Sequence, residues 1–346
     1  MTKKTLNRLT LAVSLAMFVA AVFVLYRQLG NTRLIDVVGR LEALPRTRVV
    51  AALALTAASY LLLTAYDFLA LSYVGRTLRV RETLFASFVA FAFSNNLGCA
   101  LVSGGSVRYR IYTGFGLGPV EIGEIVAFCT LTYGLGVTTV SALMFLSDPA
   151  GISSVLNLPR PLVKAAGIAM LAVGIAYLAV IVARRGPIAL GRYHLRLPSL
   201  GCGLMQLCVA CCDQALAGAV VYVLLPSDVE IDFQAFLGIY AIATPISLLS
   251  LAPGGLGVFE TMVVAVLANT AKDVSLGSLI AYRLIYFVLP LALAVVLAAI
   301  HEIRRSSREI GWLRQLPGVP TRNVADGKSK SNPGAGRCRA GRNGGA

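Results

Sequence analysis

Ser103-Gly104-Gly105-Ser106-Val107-Arg108-Tyr109-Arg110 closes an apolar run and puts two arginines where a membrane-spanning reading would put lipid. The run before it, Leu84 to Leu101, is interrupted by Ser94-Asn95-Asn96 and Gly98, which makes it a poor spanning helix but a good half-helix ending inside the bilayer. Backbone broken at that depth is tolerated only where protein or a water-filled cavity satisfies its polar groups. Arginine in such a place is costly and marks a pathway or a binding site. The stretch is the first candidate site, and the other segments are read as packing around it.

Composition agrees with a membrane setting. The 346-residue chain is 57% hydrophobic and 14% charged, against roughly 45 to 50% and about 25% in soluble domains. Several apolar runs reach the roughly 20 residues a helix needs to cross a bilayer. No polar region is long enough to form a soluble catalytic domain. The net charge of +15 is spread over loops and tail, which favours anionic lipid headgroups over nucleic acid as a partner. Six of the seven cysteines fall in apolar segments, where cysteine acts as a small hydrophobe. Cys208 and Cys211 form a CxxC without a second pair or a nearby histidine, so neither a metal nor a cofactor is expected.

The spanning segments read as Leu9 to Tyr26, Val49 to Tyr73, Ile125 to Leu146, Val163 to Val182, Leu200 to Leu225 and Leu279 to Ile300. The first follows Lys3, Lys4 and Arg8 but has no small-residue cleavage site, and reads as a retained helix. The excess of Lys and Arg in cytoplasmic loops puts Arg184, Arg185, Arg192, Arg196, Arg304, Arg305 and Arg308 inside, and with them both termini. The loop Arg27 to Arg48 opposes this with five arginines; its spaced apolar residues fit a helix lying on the membrane surface. For the topology to close, Leu84 to Gly118 and Phe236 to Asn269 must each enter and leave on one side.

The second of these segments carries Ala252-Pro253-Gly254-Gly255-Leu256-Gly257-Val258-Phe259-Glu260, its Gly-Gly 150 residues after Gly104-Gly105. The same shift carries the spans near Leu9 and Val49 onto those near Val163 and Leu200. Each half holds an odd number of crossings, so the second copy is inverted, as in secondary transporters whose broken helices meet near the bilayer midplane. The expectation is an all-α integral membrane protein of six transmembrane helices and two re-entrant broken hairpins, arranged as an inverted repeat. Residues 1–316 form its membrane domain, with halves at about 9–146 and 163–300, and 317–346 form a disordered basic tail.

The candidate binding residues follow from this plan. Arg108 and Arg110 lie two apart and point to different helix faces; an arginine fork holds phosphate bidentately, and amides freed by Gly104 and Gly105 add donors. Asp67 and Asp213 lie within spans, where a carboxylate must face the bundle interior, pair with a base or be protonated. Glu260 opens a helix after Gly254-Gly255, and the repeat shift places it opposite Arg110, with which it is expected to pair. Glu121 and Glu124 read as helix-capping acids. No hydrolase or transferase constellation is visible.

At Asn96-Leu-Gly, at Ser103-Gly-Gly-Ser-Val-Arg-Tyr-Arg-Ile-Tyr and at Pro253-Gly-Gly-Leu-Gly-Val-Phe-Glu, the sequence resembles the lysylphosphatidylglycerol synthase transmembrane-region family, over roughly Leu9 to Ile300. In fused members this region is similar to a flippase for aminoacylated phosphatidylglycerol in the bacterial inner membrane, and a later part attaches the amino acid. That later part is absent, so the resemblance implies a non-enzymatic lipid flippase. It implies Arg108 as the phosphate ligand, and Asp213, Asp67 and Glu260 as the groups meeting the cationic aminoacyl moiety. Two alternatives remain: export of another lipid-linked or anionic solute, and a non-transporting membrane subunit beside a separate lipid synthase. A homo-oligomer fits either.

Overall fold

In a computed structural model, residues 45–97, 100–156, 158–183, 188–190, 193–195, 197–226, 231–249, 257–267 and 276–314 are described. The expected span Leu9 to Tyr26, most of the surface-helix loop, Gly254, Gly255 and the tail fall outside them. The elements are α1 (Arg46–Val74), α2 (Val80–Leu97), α3 (Ala100–Gly114), α4 (Pro119–Ser147), α5 (Pro149–Leu156), α6 (Arg160–Ala183), α7 (Leu200–Leu224), α8 (Phe233–Leu249), α9 (Val258–Leu267) and α10 (Leu276–Tyr282). A π-helical turn (Arg283–Val288) leads into α11 (Leu289–Arg314). Between α6 and α7, the short strands β1 (Ile188–Leu190) and β2 (Tyr193–Leu195) pair antiparallel, Ile188 opposite Leu195.

This is an all-α membrane protein. Five described helices are long and apolar enough to cross a bilayer: Arg46–Val74, Pro119–Ser147, Arg160–Ala183, Leu200–Leu224 and Gly277–Arg304. Each coincides with an expected span. Between them lie two pairs of shorter helices, α2 with α3 and α8 with α9; Ser94-Asn95-Asn96, expected to break the first, are helical and close α2. Two apolar cores form, one around Tyr60, Tyr66, Phe91, Tyr112 and Phe128, which Val209, Ala210 and Leu291 of the later helices join, the other around Val221, Phe236, Tyr240, Phe259 and Tyr282, which Ala52 and Val140 join. The unit described by these cores ends at Ala299; the last turns of α11 belong to a second unit, with Arg304, Arg305 and Arg308 in its sequence.

Across the halves, α1 packs on α7. The pair is antiparallel: Arg48, near the start of α1, donates from Nη1 to the Leu225 carbonyl past the end of α7 (2.6 Å), and Tyr66, two-thirds along α1, reaches Asp213 in the middle of α7. That is the relation an inverted repeat demands of its two second spans.

Lipid tails are as apolar as leucine, so these helices associate through close packing and interhelical hydrogen bonds rather than through exclusion of water. Gly136 of α4 gives α7 its approach: a Cβ there would stand 2.7 Å from the Ala210 Cβ and 2.8 Å from its carbonyl oxygen. One turn away, Gln206 Nε2 donates to Thr132 Oγ1 (2.7 Å), and its Oε1 accepts from Tyr177 of α6. Leu61, Ile168, Val182 and Leu293 stay exposed on the bundle's outer face, where lipid would meet them.

Two prolines break the backbone ladder, and side chains from other helices repair it. Pro245 in α8 has no N–H for the Ala241 carbonyl four residues back. Ser141 Oγ of α4 donates to that oxygen instead, at 3.1 Å. Pro290 of α11 likewise leaves the Tyr286 carbonyl without its helical donor. The chain widens there into the π turn, whose Leu289 N–H reaches back five residues to Leu284. Tyr60 OH donates to the Tyr286 carbonyl (3.3 Å) and Asn96 Nδ2 to the Phe287 carbonyl (3.2 Å). Irregular backbone at membrane depth is thus held by protein groups, as a bilayer requires.

Candidate functional site

α3 buries Gly104, Val107, Arg108, Ile111 and Tyr112, an i, i+3, i+4, i+7, i+8 stripe on one face. Arg108 sits in the middle of that stripe, and Arg110, two residues on, is half-buried on another face. Arg108 is 3% exposed and Asp67 is fully buried. Arg108 Nε donates to Asp67 Oδ1 at 3.0 Å and Nη2 to Oδ2 at 2.9 Å, a fork-to-fork pair. Tyr112 OH donates to Oδ1 as well, at 2.9 Å. The guanidinium carbon lies 4.5 Å from the centre of the Phe91 ring, a cation–π contact from the other arm of the hairpin.

The two glycines of the motif lie inside α3, so their amides belong to the helical ladder and are not the free donors expected for an anion; they also differ in kind. A Cβ on Gly104 would fall 1.9 Å from Ser94 Oγ and 3.3 Å from Arg108 Nη1, so Gly104 lets the two arms of the hairpin close over the arginine. A Cβ on Gly105 would meet only Val126, at 3.7 Å.

Asp213 lies in a second polar centre. It is 3% exposed, and its carboxylate accepts from Ser59 Oγ (3.2 Å) and Tyr66 OH (3.1 Å), both on α1. Tyr66 and Asp67 are consecutive, so α1 carries one acid toward the first hairpin and a donor toward the acid of α7.

A third centre joins Glu260 to Arg283 in the π turn. Arg283 Nε meets Glu260 Oε1 at 2.5 Å, and its guanidinium lies 4.8 Å from the centre of the Phe287 ring. Glu260 Oε2 accepts the Gly257 N–H at 2.9 Å, capping α9. The expected partner of Glu260 was Arg110; the structure corrects this to Arg283, because the π turn brings the guanidinium to the mouth of the second hairpin. Glu121, read as a capping acid, accepts the Gly118 N–H at 2.8 Å and pairs with exposed Arg76.

The expected site residues therefore fall into three centres. Asp67, Arg108 and Gly104 meet; Asp213 and Glu260 each stand apart, joined to that centre by no direct hydrogen bond or ion pair. Sequence reasoning missed Arg283, although an arginine in the span Leu279 to Ile300 satisfies the rule that singled out Asp213. It also missed Tyr112 and Ser59, whose types are too common in spans to signal a site.

No family model matches the chain. It is 34% identical over 299 residues to the uncharacterized protein slr0712 of Synechocystis, covering 86% of this chain and 93% of that one. It is 28% identical over 254 residues to the inner membrane protein YbhN of Escherichia coli, covering 72% and 79%. Over 301 residues it is 23% identical to a phosphatidylglycerol lysyltransferase of Staphylococcus aureus, covering 86% of this chain but 34% of the longer protein.

Proposed function

Because the chain belongs to the lysylphosphatidylglycerol synthase transmembrane-region family, as a multi-pass protein of the inner membrane, we propose that it moves a phospholipid between leaflets. The lipid is one whose headgroup carries both a phosphate and an amine, aminoacylated phosphatidylglycerol foremost. One observation carries the reading: the buried Asp67–Arg108 pair sets side by side the two charges complementary to such a headgroup.

Removing one partner of a buried ion pair costs about 3–5 kcal/mol, because the other charge is left bare. A simple anion taking Arg108 would strand Asp67. A headgroup with both signs takes both residues at once: phosphate in the fork of Arg108, ammonium on Asp67, with Tyr112 free to turn to either. The lysyltransferase activity in the name of the longer relative is not carried over. Both termini lie on the cytoplasmic side, and the anionic inner-leaflet surface meets Arg304, Arg305 and Arg308.

The test is outer-leaflet labelling of aminoacylated lipid by a membrane-impermeant amine reagent, in cells holding a synthase but no flippase. Labelling rises with the intact protein and stays at background with Arg108→Ala at equal total lipid. No rise with the inserted, abundant protein refutes the reading. The likeness to one part of a longer lysyltransferase favours a second reading, a non-transporting subunit beside a separate synthase. That reading predicts that function in Arg108→Gln falls only in proportion to the folded, inserted protein that remains.

A further inference from the structure

Asp213 is the counterpart of Asp67: each is a buried acid on the second span of its half, and the two spans pack antiparallel. Their surroundings differ in one respect. Asp67 has a bidentate arginine and a tyrosine, whereas Asp213 has two hydroxyl donors and, among the described residues, no cation within 4 Å. The ionisable groups facing it are Tyr60 and Tyr66 on α1, Tyr133 on α4, Tyr240 on α8, Tyr286 in the π turn and Cys212 on its own helix. Neither α6 nor α10 adds one, and none of the six is a base. Among the described residues the centre holds a formal charge with no cation to cancel it. A bare carboxylate in an apolar interior is neutralised rather than left charged; one added proton corrects the deficit.

A hydroxyl chain leads away from the acid. Tyr286 OH lies 3.1 Å from Ser59 Oγ, which donates to Asp213, and the Tyr286 ring stacks on that of Tyr282 at 5.4 Å, beside Arg283 in sequence.

We infer that Asp213 is a proton-binding site that couples proton movement across the membrane to movement of the lipid. Water on one side supplies the proton, an O–H bond forms on the Asp213 carboxylate, and that bond breaks to water on the other side; no electrons change hands. The coupling rests on the lipid reading, whereas the proton site does not. A sodium ion is the competing occupant.

The experiment uses the full chain in phosphatidylglycerol–phosphatidylethanolamine vesicles. Infrared difference spectra between acidic and alkaline buffer are expected to show a protonated-carboxyl band in the wild type that Asp213→Asn lacks and Asp67→Asn keeps. Asparagine keeps the shape of the side chain, accepts from one of the two hydroxyls and donates from Nδ2 to the other; should Asp213→Asn fail to insert, Asp213→Glu shifts the band instead. No band in the wild type, the same band in Asp213→Asn, or a response to sodium but not to pH overturns the proton site. In a second arm, an imposed pH gradient speeds movement of an amine-bearing lipid several-fold in the wild type, and Asp213→Asn abolishes that gain. Lipid movement indifferent to the gradient overturns the coupling. If the band behaves as expected but no lipid moves with or without a gradient, the lipid reading fails and the proton site stands.

Discussion

Arg108 and Asp67 pair fork to fork, two guanidinium nitrogens on two carboxylate oxygens at a depth where neither side chain meets water. The pair fastens the first hairpin to α1, and its cost and its use are both functions of burial.

Asp67→Asn and Arg108→Gln are each expected to destabilise by about 3–5 kcal/mol, since each leaves a buried charge unpaired. The double variant removes both charges and is expected to cost clearly less than the sum. Thermal unfolding in detergent, read as a double-mutant cycle, checks this; additive losses would mean that the two residues are held by other partners.

The three ion pairs Arg108–Asp67, Arg283–Glu260 and Arg76–Glu121 should rank by exposure. Arg108→Gln costs most, Arg283→Gln less, because its pair is 10% and 19% exposed, and Arg76→Gln least, because its pair is 54% and 26% exposed. An exposed pair of the last kind is worth no more than about 1 kcal/mol. The same unfolding assay gives the order, and added salt should weaken only the Arg76 pair.

Ser141→Ala should leave the Ala241 carbonyl without a donor and cost about 1–3 kcal/mol. Pro245→Ala restores the helical N–H, so in that background the loss of Ser141 should be nearly silent. Equal effects in both backgrounds would show that the serine serves something other than the proline break.

Glycine substitutions should separate packing from binding. Gly136→Ala forces α4 from the Ala210 backbone and is expected to destabilise by about 1–3 kcal/mol, as overpacked cores do. Gly104→Ala turns the Ser94 hydroxyl and crowds Arg108, lowering transport more than stability, while Gly105→Ala, with Val126 at ordinary contact distance, is tolerated. Labelling and unfolding measured on the same preparations distinguish the three.

The membrane spans were legible because hydropathy over some twenty residues is a property of sequence alone, and each described span lies where Val49 to Tyr73 and its successors predict. Ser94-Asn95-Asn96, expected to interrupt the first hairpin, instead lie inside α2, where Asn96 Nδ2 donates to the Ala92 carbonyl and to the Phe287 carbonyl; Pro253-Gly254-Gly255 lie outside the described residues. Which arginine meets which acid was not legible. Arg110 and Glu260 share a repeat position, but the partner of Glu260 is fixed by a π turn that one proline, Pro290, imposes on a different helix. The hydroxyl partners of Asp213 were equally hidden, since Ser59 and Tyr66 come from 154 and 147 residues away and their types are ordinary in a span.

The π turn at Arg283–Val288 has a kinematic consequence. A wide turn holds one residue more than an α-turn, so its place along the helix changes only in whole residues, each turning the side chains it passes by about 100°. Pro290 blocks its passage toward the C-terminus, so its only open course is toward α10. Arg283, first in the turn, is the residue that such a step would turn relative to Glu260, so the ion pair pins the turn in its present register, and any shift of it is discrete and can return only as far as Pro290.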